Sequence, residues 1–378
     1  MADKTRSIFE DVGDVQKQVA KPGGIDAKSK GARGAIRIWL GMIFALVGIM
    51  ILVGGLTRLT DSGLSITEWA PFAGAMPPTT ETAWDEAFAK YKEIPEYQLQ
   101  NKGMALSEFK SIFWWEWGHR QLGRVIGLVW AVGFLGFLVT RKIPTGWTRK
   151  LLFLGALGGL QGAIGWWMVS SGLKEGMLDV ASYRLATHLG LAFVIFGFIT
   201  WYILQLARSE AALMQARRMA DARLSRLGTW LIVLAFVQIL LGALVAGIDA
   251  GRGFPDWPLM AGGFFPPQPF DLVPLWRNFF EDPGLVQFMH RMAGYILFGF
   301  GIYVWARARK NGNGRTRFAF NMMLAVMVLQ VVLGIVTVIY SAPAHIAIIH
   351  QLGAVVLWVV ILRARFLAGH PHPQSIRG

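Results

Sequence analysis

The chain has 378 residues, 54% hydrophobic and 16% charged, with 16 Trp, 44 Gly and a mean hydropathy of +0.44, which excludes a soluble core and implies several membrane-spanning helices. The formal charge of +14 is no nucleic-acid footprint, because most Lys and Arg fall in the N-terminal tail, in the connections 141–150, 207–227 and 307–317, and at the C-terminal end. Positive residues stay on the cytoplasmic side, so both termini are expected there.

In chain order, residues 1–35 form a polar tail that mixes Lys and Arg with Glu10, Asp11, Asp14 and Asp26. It lacks an apolar core and a cleavage signature and reads as a retained cytoplasmic segment. Apolar runs of roughly 20 residues, the length that crosses hydrocarbon, are expected at 36–56, 119–140, 150–170, 184–206, 228–248, 286–306, 317–340 and 345–366. The first outer loop, 57–112, is the longest. Its stretch 81–110 mixes Trp84, Phe88, Tyr91 and Phe109 with charges, as short amphipathic helices over the outer face would. It caps the first half of the chain or is a plain surface loop. Residues 207–227 are a cytoplasmic linker, 249–285 a Pro- and Gly-rich outer loop, and 367–378 a tail. The fold class is an all-α integral membrane protein of eight transmembrane helices, arranged as two pseudo-symmetric four-helix bundles, 36–206 and 228–366.

Four histidines stand near the outer ends of alternate spans: His119 and His188 in the first half, His290 and His350 in the second. A titratable ring is costly in hydrocarbon without a partner, so four at matched places point to a metal cofactor clasped between helices. A four-helix bundle can offer one imidazole to each face of a porphyrin, which makes a membrane haem protein the leading reading. The competing reading is four hydrogen-bonded core residues. His345, five residues before His350, and His370 and His372, in the Pro-rich tail, are not counted as ligands. With no Cys in the chain, disulfides, thioether-attached haem, thiolate clusters and thiol relays are excluded.

Internal repetition supports the pairing. The run W-E-W-G-H-R-Q-L-G (Trp115 to Gly123) aligns with V-Q-F-M-H-R-M-A-G (Val286 to Gly294), and Gln161 to Gly165 matches Gln330 to Gly334. Glu68-Trp69 ahead of Pro71 recurs as Asp256-Trp257 ahead of Pro258. Each half holds an even number of spans, so the repeats are parallel. The halves differ at one place. Glu116 precedes His119 by three residues, on the same helical face, and its equivalent is Gln287. A carboxylate in low dielectric can stabilise developing positive charge or exchange a proton, so the first half reads as reactive and the second as passing electrons. The alternative is an interfacial Glu snorkelling beside Trp114, Trp115 and Trp117. Arg120, Arg124, Arg184 and Arg291 suit haem propionates or lipid headgroups equally, and Arg58 and Arg252 share that ambiguity. A face of Gly155, Gly158, Gly159 and Gly162 packs within the bundle or between subunits, which leaves a homo-oligomer open.

The runs G-G-L-T-R-L-T-D-S-G-L-S-I-T-E-W (Gly54 to Trp69), E-W-G-H-R-Q-L-G-R (Glu116 to Arg124), D-A-G-R-G-F-P-D-W-P-L-M (Asp249 to Met260) and M-H-R (Met289 to Arg291) resemble the haem A synthase family, Cox15/CtaA, in its cysteine-free type. The resemblance spans about residues 36 to 366. It implies oxidation of the C8 methyl of haem O to a formyl group in the bacterial inner membrane, for terminal oxidases. It further implies that His119 and His188 hold the substrate haem, with Glu116 near the oxidised edge, and that His290 and His350 hold a haem b cofactor. Haem O synthase and an electron donor are the partners it suggests, and the farnesyl tail of the substrate suggests lateral entry from lipid. Two other classes compete: a dihaem b-type electron carrier, which gives Glu116 no task, and a transporter of duplicated four-helix units, which needs no cofactor.

Overall fold

The computed structural model describes residues 30–373, and all regular structure among them is helical apart from one isolated β-bridge, Met260 with Gly263. The long helices are α1 (Lys30–Leu59), α4 (Leu106–Val139), α5 (Thr148–Gly172), α6 (Ser182–Leu206), α8 (Ala222–Gly247), α10 (Pro283–Ala308), α11 (Gly314–Ile339) and α12 (Ala344–Gly369). Short helices lie between them: α2 (Glu81–Lys92), α3 (Pro95–Leu99), α7 (Glu210–Arg218) and α9 (Asn278–Glu281). Seven of the long helices are long and apolar enough to cross a membrane. The 26-residue α10 falls below that hydropathy because Gln287, His290 and Arg291 share its N-terminal turns. The tail expected over 1–35 lies outside the described residues as far as residue 29.

Local chemistry sets the helix starts. Asp221, Asp282 and Asn313 accept the backbone N–H of Leu224, Leu285 and Thr316 and so cap α8, α10 and α11, while Pro283 stands at the first turn of α10. Each apolar run read from the sequence coincides with a helix, although the runs ending at 140, 248 and 340 overshoot by one residue, α1 starts inside the expected tail at Lys30, and α8 starts inside the expected linker at Ala222. The largest displacement is at α4. Helix α4 begins at Leu106 rather than near His119, because its first turns pack on the outer loop instead of entering lipid. Phe109 stacks on Phe88 at 4.9 Å between ring centres, and Phe113 meets the Trp84 edge at 4.9 Å. The expected short helices over 81–110 are α2 and α3, and with Leu64 and Val180 they close an outer apolar cluster. The linker 207–227 holds α7, whose N-cap Ser209 accepts from Ala212 and whose last turn carries Arg217 and Arg218, matching the helix dipole.

Packing repeats between the halves. Helix α1 packs on α4 and α6, and α5 on α4 and α6, as α8 packs on α10 and α12, and α11 on α10 and α12. The halves meet where α6 crosses α8 and α12, and where α12 crosses α1. The main core runs through this junction, with Leu40, Phe193, Phe196, Leu231, Phe320 and Ile361 buried. The Trp358 indole donates to the Phe193 carbonyl (3.1 Å), and the Gln351 amide to that of Ile51 (2.6 Å). Leu128 and Val132 are each 64% exposed, an outward face suited to lipid. Of the glycine face on α5, Gly155 receives the Trp130 ring within the first half, whereas Gly158, Gly159 and Gly162 face open space.

The lobe formed by α2, α3 and the start of α4 buries Glu96. Glu96 is 4% exposed, accepts the Tyr91 hydroxyl (3.0 Å) and the Asn101 amide (3.3 Å), and burial pushes its pKa up from 4.5 to about 8. A carboxyl whose folded pKa is raised contributes fully below its unfolded pKa, and that contribution is lost as pH rises toward the folded value. Thermal unfolding in detergent is therefore expected to show the wild type losing stability between pH 5 and pH 8, with Glu96→Gln removing that part of the slope. An identical pH slope in both proteins would refute the assignment.

Candidate haem sites

The four histidines share a glycine contact, and three of them share a glutamine clasp as well. On the adjacent helix a glycine faces the ring: a Cβ would come within 3.1 Å of His119 at Gly54, 2.9 Å of His188 at Gly165, 3.0 Å of His290 at Gly242 and 3.1 Å of His350 at Gly334. Any side chain there would push the ring aside. In three cases a glutamine one turn before that glycine donates to the backbone carbonyl of the histidine: Gln161 to His188 (3.0 Å), Gln238 to His290 (3.1 Å) and Gln330 to His350 (2.9 Å). All four rings are half-buried.

This frame fits a haem. Among the described residues no three His, Asp or Glu side chains gather as a metal cage, whereas two imidazoles per half, each with a glycine against it, suit an iron already held in a macrocycle. The glycine cradles let helices approach the rings closely. The buried Oε1 atoms of Gln161, Gln238 and Gln330 have no partner, so polar valence remains unsatisfied beside three of the rings.

Glu116 is not an interfacial side chain snorkelling to water. It is 2% exposed, one turn before His119 on α4. Oε2 accepts the Ser65 hydroxyl (2.7 Å) and the Ile66 N–H (2.8 Å), and Oε1 accepts Nε (3.0 Å) and Nη2 (2.5 Å) of Arg120. The outer-loop turn thus folds down onto the carboxylate. Its counterpart Gln287 is 3% exposed and donates to the Phe254 carbonyl (3.2 Å). The surrounding scaffold is shared: Arg120 donates to the carbonyls of Glu68 (2.9 Å) and Ile66 (2.6 Å), Arg291 to those of Leu259 (2.9 Å) and Phe254 (2.8 Å). The halves differ in the acid, not in the frame that holds it.

The remaining arginines also bind backbone. Arg124 donates to the Pro71 (2.9 Å) and Ala70 (3.0 Å) carbonyls. Arg184 donates to that of Trp167 (2.6 Å) and lies 4.5 Å over its ring. Arg184 and Arg291 each keep a buried Nε–H without a partner. Arg58, at the end of α1, meets Asp61 (2.8 Å), Asp179 (3.5 Å) and Asp249 (3.1 Å), the last from the second half. Arg252 faces Asp249 at 3.6 Å, with half of its side chain exposed. His345 is exposed in the first turn of α12. His370 accepts Arg217 Nε (3.1 Å) and braces α7.

The sequence signal behind the frame was partly visible. Q-x-x-x-G was noted at Gln161–Gly165 and Gln330–Gly334, and a third copy, Q-I-L-L-G from Gln238 to Gly242, was missed. The fourth position reads M-I-L-V-G, Met50 to Gly54. Ser65 and Ile66 carry no motif that links them to a residue some fifty positions away.

Fold and sites together define a multi-pass helical membrane protein with two matched histidine pairs, one of them beside a buried carboxylate. The family model described as cytochrome oxidase assembly protein, COX15-CtaA, matches residues 37–362. The chain is 64% identical over 376 residues to the Heme A synthase of Ruegeria pomeroyi, covering 99% of both chains. It is 56% identical over 375 residues to the Heme A synthase of Paracoccus denitrificans, covering 99% of this chain and 98% of the relative. The chain belongs to the COX15-CtaA family.

Proposed function

We propose that the chain is a haem A synthase, oxidising the C8 methyl of haem O to the formyl group of haem A for terminal oxidases. In this reading it spans a bacterial inner membrane eight times, with α10 as a span and both termini cytoplasmic. The first bundle, 36–206, holds haem O between His119 and His188, and the second, 228–366, holds a haem b cofactor between His290 and His350, both toward the outer side. The observation that carries the reading is the single acid in an otherwise duplicated frame: Glu116 in place of Gln287. A pure electron carrier gives that carboxylate no task.

Bound haem iron supplies the one-electron and oxygen chemistry. The chain positions and insulates it. The four histidines would hold the two haems, and the glycines beside them leave room for the rings to seat. Glu116, one turn before His119, would stand beside a haem held there, and its Oε1 and Oε2 could favour developing positive charge or take up a proton once Arg120 or Ser65 yields. The loop turn 65–71, tied down by Arg120 and Arg124, covers the carboxylate against water. Arg184 and Arg291, each with a free Nε–H, are the better placed toward propionates. Haem O synthase and an electron donor are the partners this function calls for, and lipid provides the route for the farnesyl tail.

Expression in a host that makes haem O but lacks its own haem A enzyme tests the proposal. Chromatography of extracted haems is expected to show new haem A, and haem O alone would defeat it.

A further inference from the structure

Three of the four histidine frames are the same, and one is not. The amides of Gln161, Gln238 and Gln330 each donate to the backbone carbonyl of their histidine, and each amide nitrogen packs against the ring, 3.1–3.2 Å from Nδ1 and 3.3–3.5 Å from Nε2. The amide thus ties the histidine-bearing turn to the adjacent helix and restricts rotation of the ring. Beside His119 the equivalent residue is Met50. The two side chains fill the same space: a Cβ on Gly123 would meet the Met50 methyl at 3.4 Å, as one on Gly294 would meet the Gln238 amide nitrogen at 3.2 Å. A thioether has no donor, is a weak acceptor and turns freely about its bonds. Among the described residues, nothing donates to or accepts from the His119 ring.

From this we infer that Met50 is a positioning residue that leaves His119 as the exchangeable axial ligand, while the other three histidines are locked by their amides. The inference rests on the haem-ligand reading of the four histidines given above. Partners of a ligating imidazole fix its orientation, and their loss costs 10–100-fold in metal affinity in general. Here the unlocked ring stands on α4, the helix that also carries Glu116. The histidine free to leave would therefore be the one on the helix of the acid, and the second half, with both histidines clasped, would offer none.

Carbon monoxide, which binds reduced haem iron only where an axial ligand leaves, is the probe. Purified full-length protein, loaded with haemin and reduced with dithionite, is titrated with the gas and followed by Soret absorbance. Wild type is expected to take up carbon monoxide in the first half only. Met50→Gln, nearly equal in shape, is expected to raise the half-saturating concentration at least about tenfold with haem content unchanged. Gln238→Met carries the test separately in the second half, whose haem is expected to become reactive toward carbon monoxide. If neither variant moves the titration while haem content stays at the wild-type level, the inference is overturned and the ligand reading survives. If neither His119→Ala nor His290→Ala lowers haem content, the ligand reading fails and the inference with it.

Discussion

Glu116→Gln is expected to leave the protein folded and haem-loaded while haem A formation falls by about 100-fold or more, the scale on which losing a proton-transferring or charge-stabilising group slows an enzyme. The substitution copies the residue that the second half carries in the same frame. An amide at 116 can still accept from Ser65 and Ile66 through its oxygen, so the loop turn keeps its anchor. What disappears is the negative charge and its pairing with Arg120, which relies on two guanidinium bonds to Oε1. Haem A yield by chromatography, read against haem content by pyridine haemochrome, separates chemistry from assembly. Product at the wild-type level would remove Glu116 from the mechanism.

His290→Ala is expected to lose the second-half haem altogether, because one of two axial ligands goes and its backbone clasp with Gln238 no longer directs a ring. The reduced-minus-oxidised spectrum should lose the corresponding b-type signal, while the first-half helices keep their packing. Haem A production is expected to fall with it, since electrons then lack their resident carrier. An unaltered haem b content would refute the ligand role of His290.

Much of this architecture is legible in the sequence, for physical reasons. Apolar length is a strong signal, and every expected span lies within a helix or overruns its end by one residue. The histidines and the exchange of Glu116 for Gln287 are visible because a duplicated chain supplies its own control. Contacts to backbone are not. Arg120, Arg124 and Arg291 read as cations awaiting an anion, yet each spends donors on loop carbonyls, which leave no mark in a sequence. The start of α4 was misplaced because Leu106 to Gly118, rich in Trp and Phe, reads as interfacial. Its aromatics are instead shared with α2, and only the folded outer lobe shows where they are buried. Arg58 was ambiguous for a similar reason: Asp61 is local, but Asp179 and Asp249 come from distant connections.

The crossing of α12 over α1 sets two neighbouring glycines back to back against opposite halves. Gly54 faces His119, while Gly55 has no room for a side chain because Gln351, the residue after His350, fills that space and bonds the Ile51 carbonyl. The two histidine frames therefore share one wall. Under the proposed function, an electron passing between the substrate and the resident cofactor would cross this seam, and a bulky residue at position 55 would displace Gln351 while sparing all four ligands.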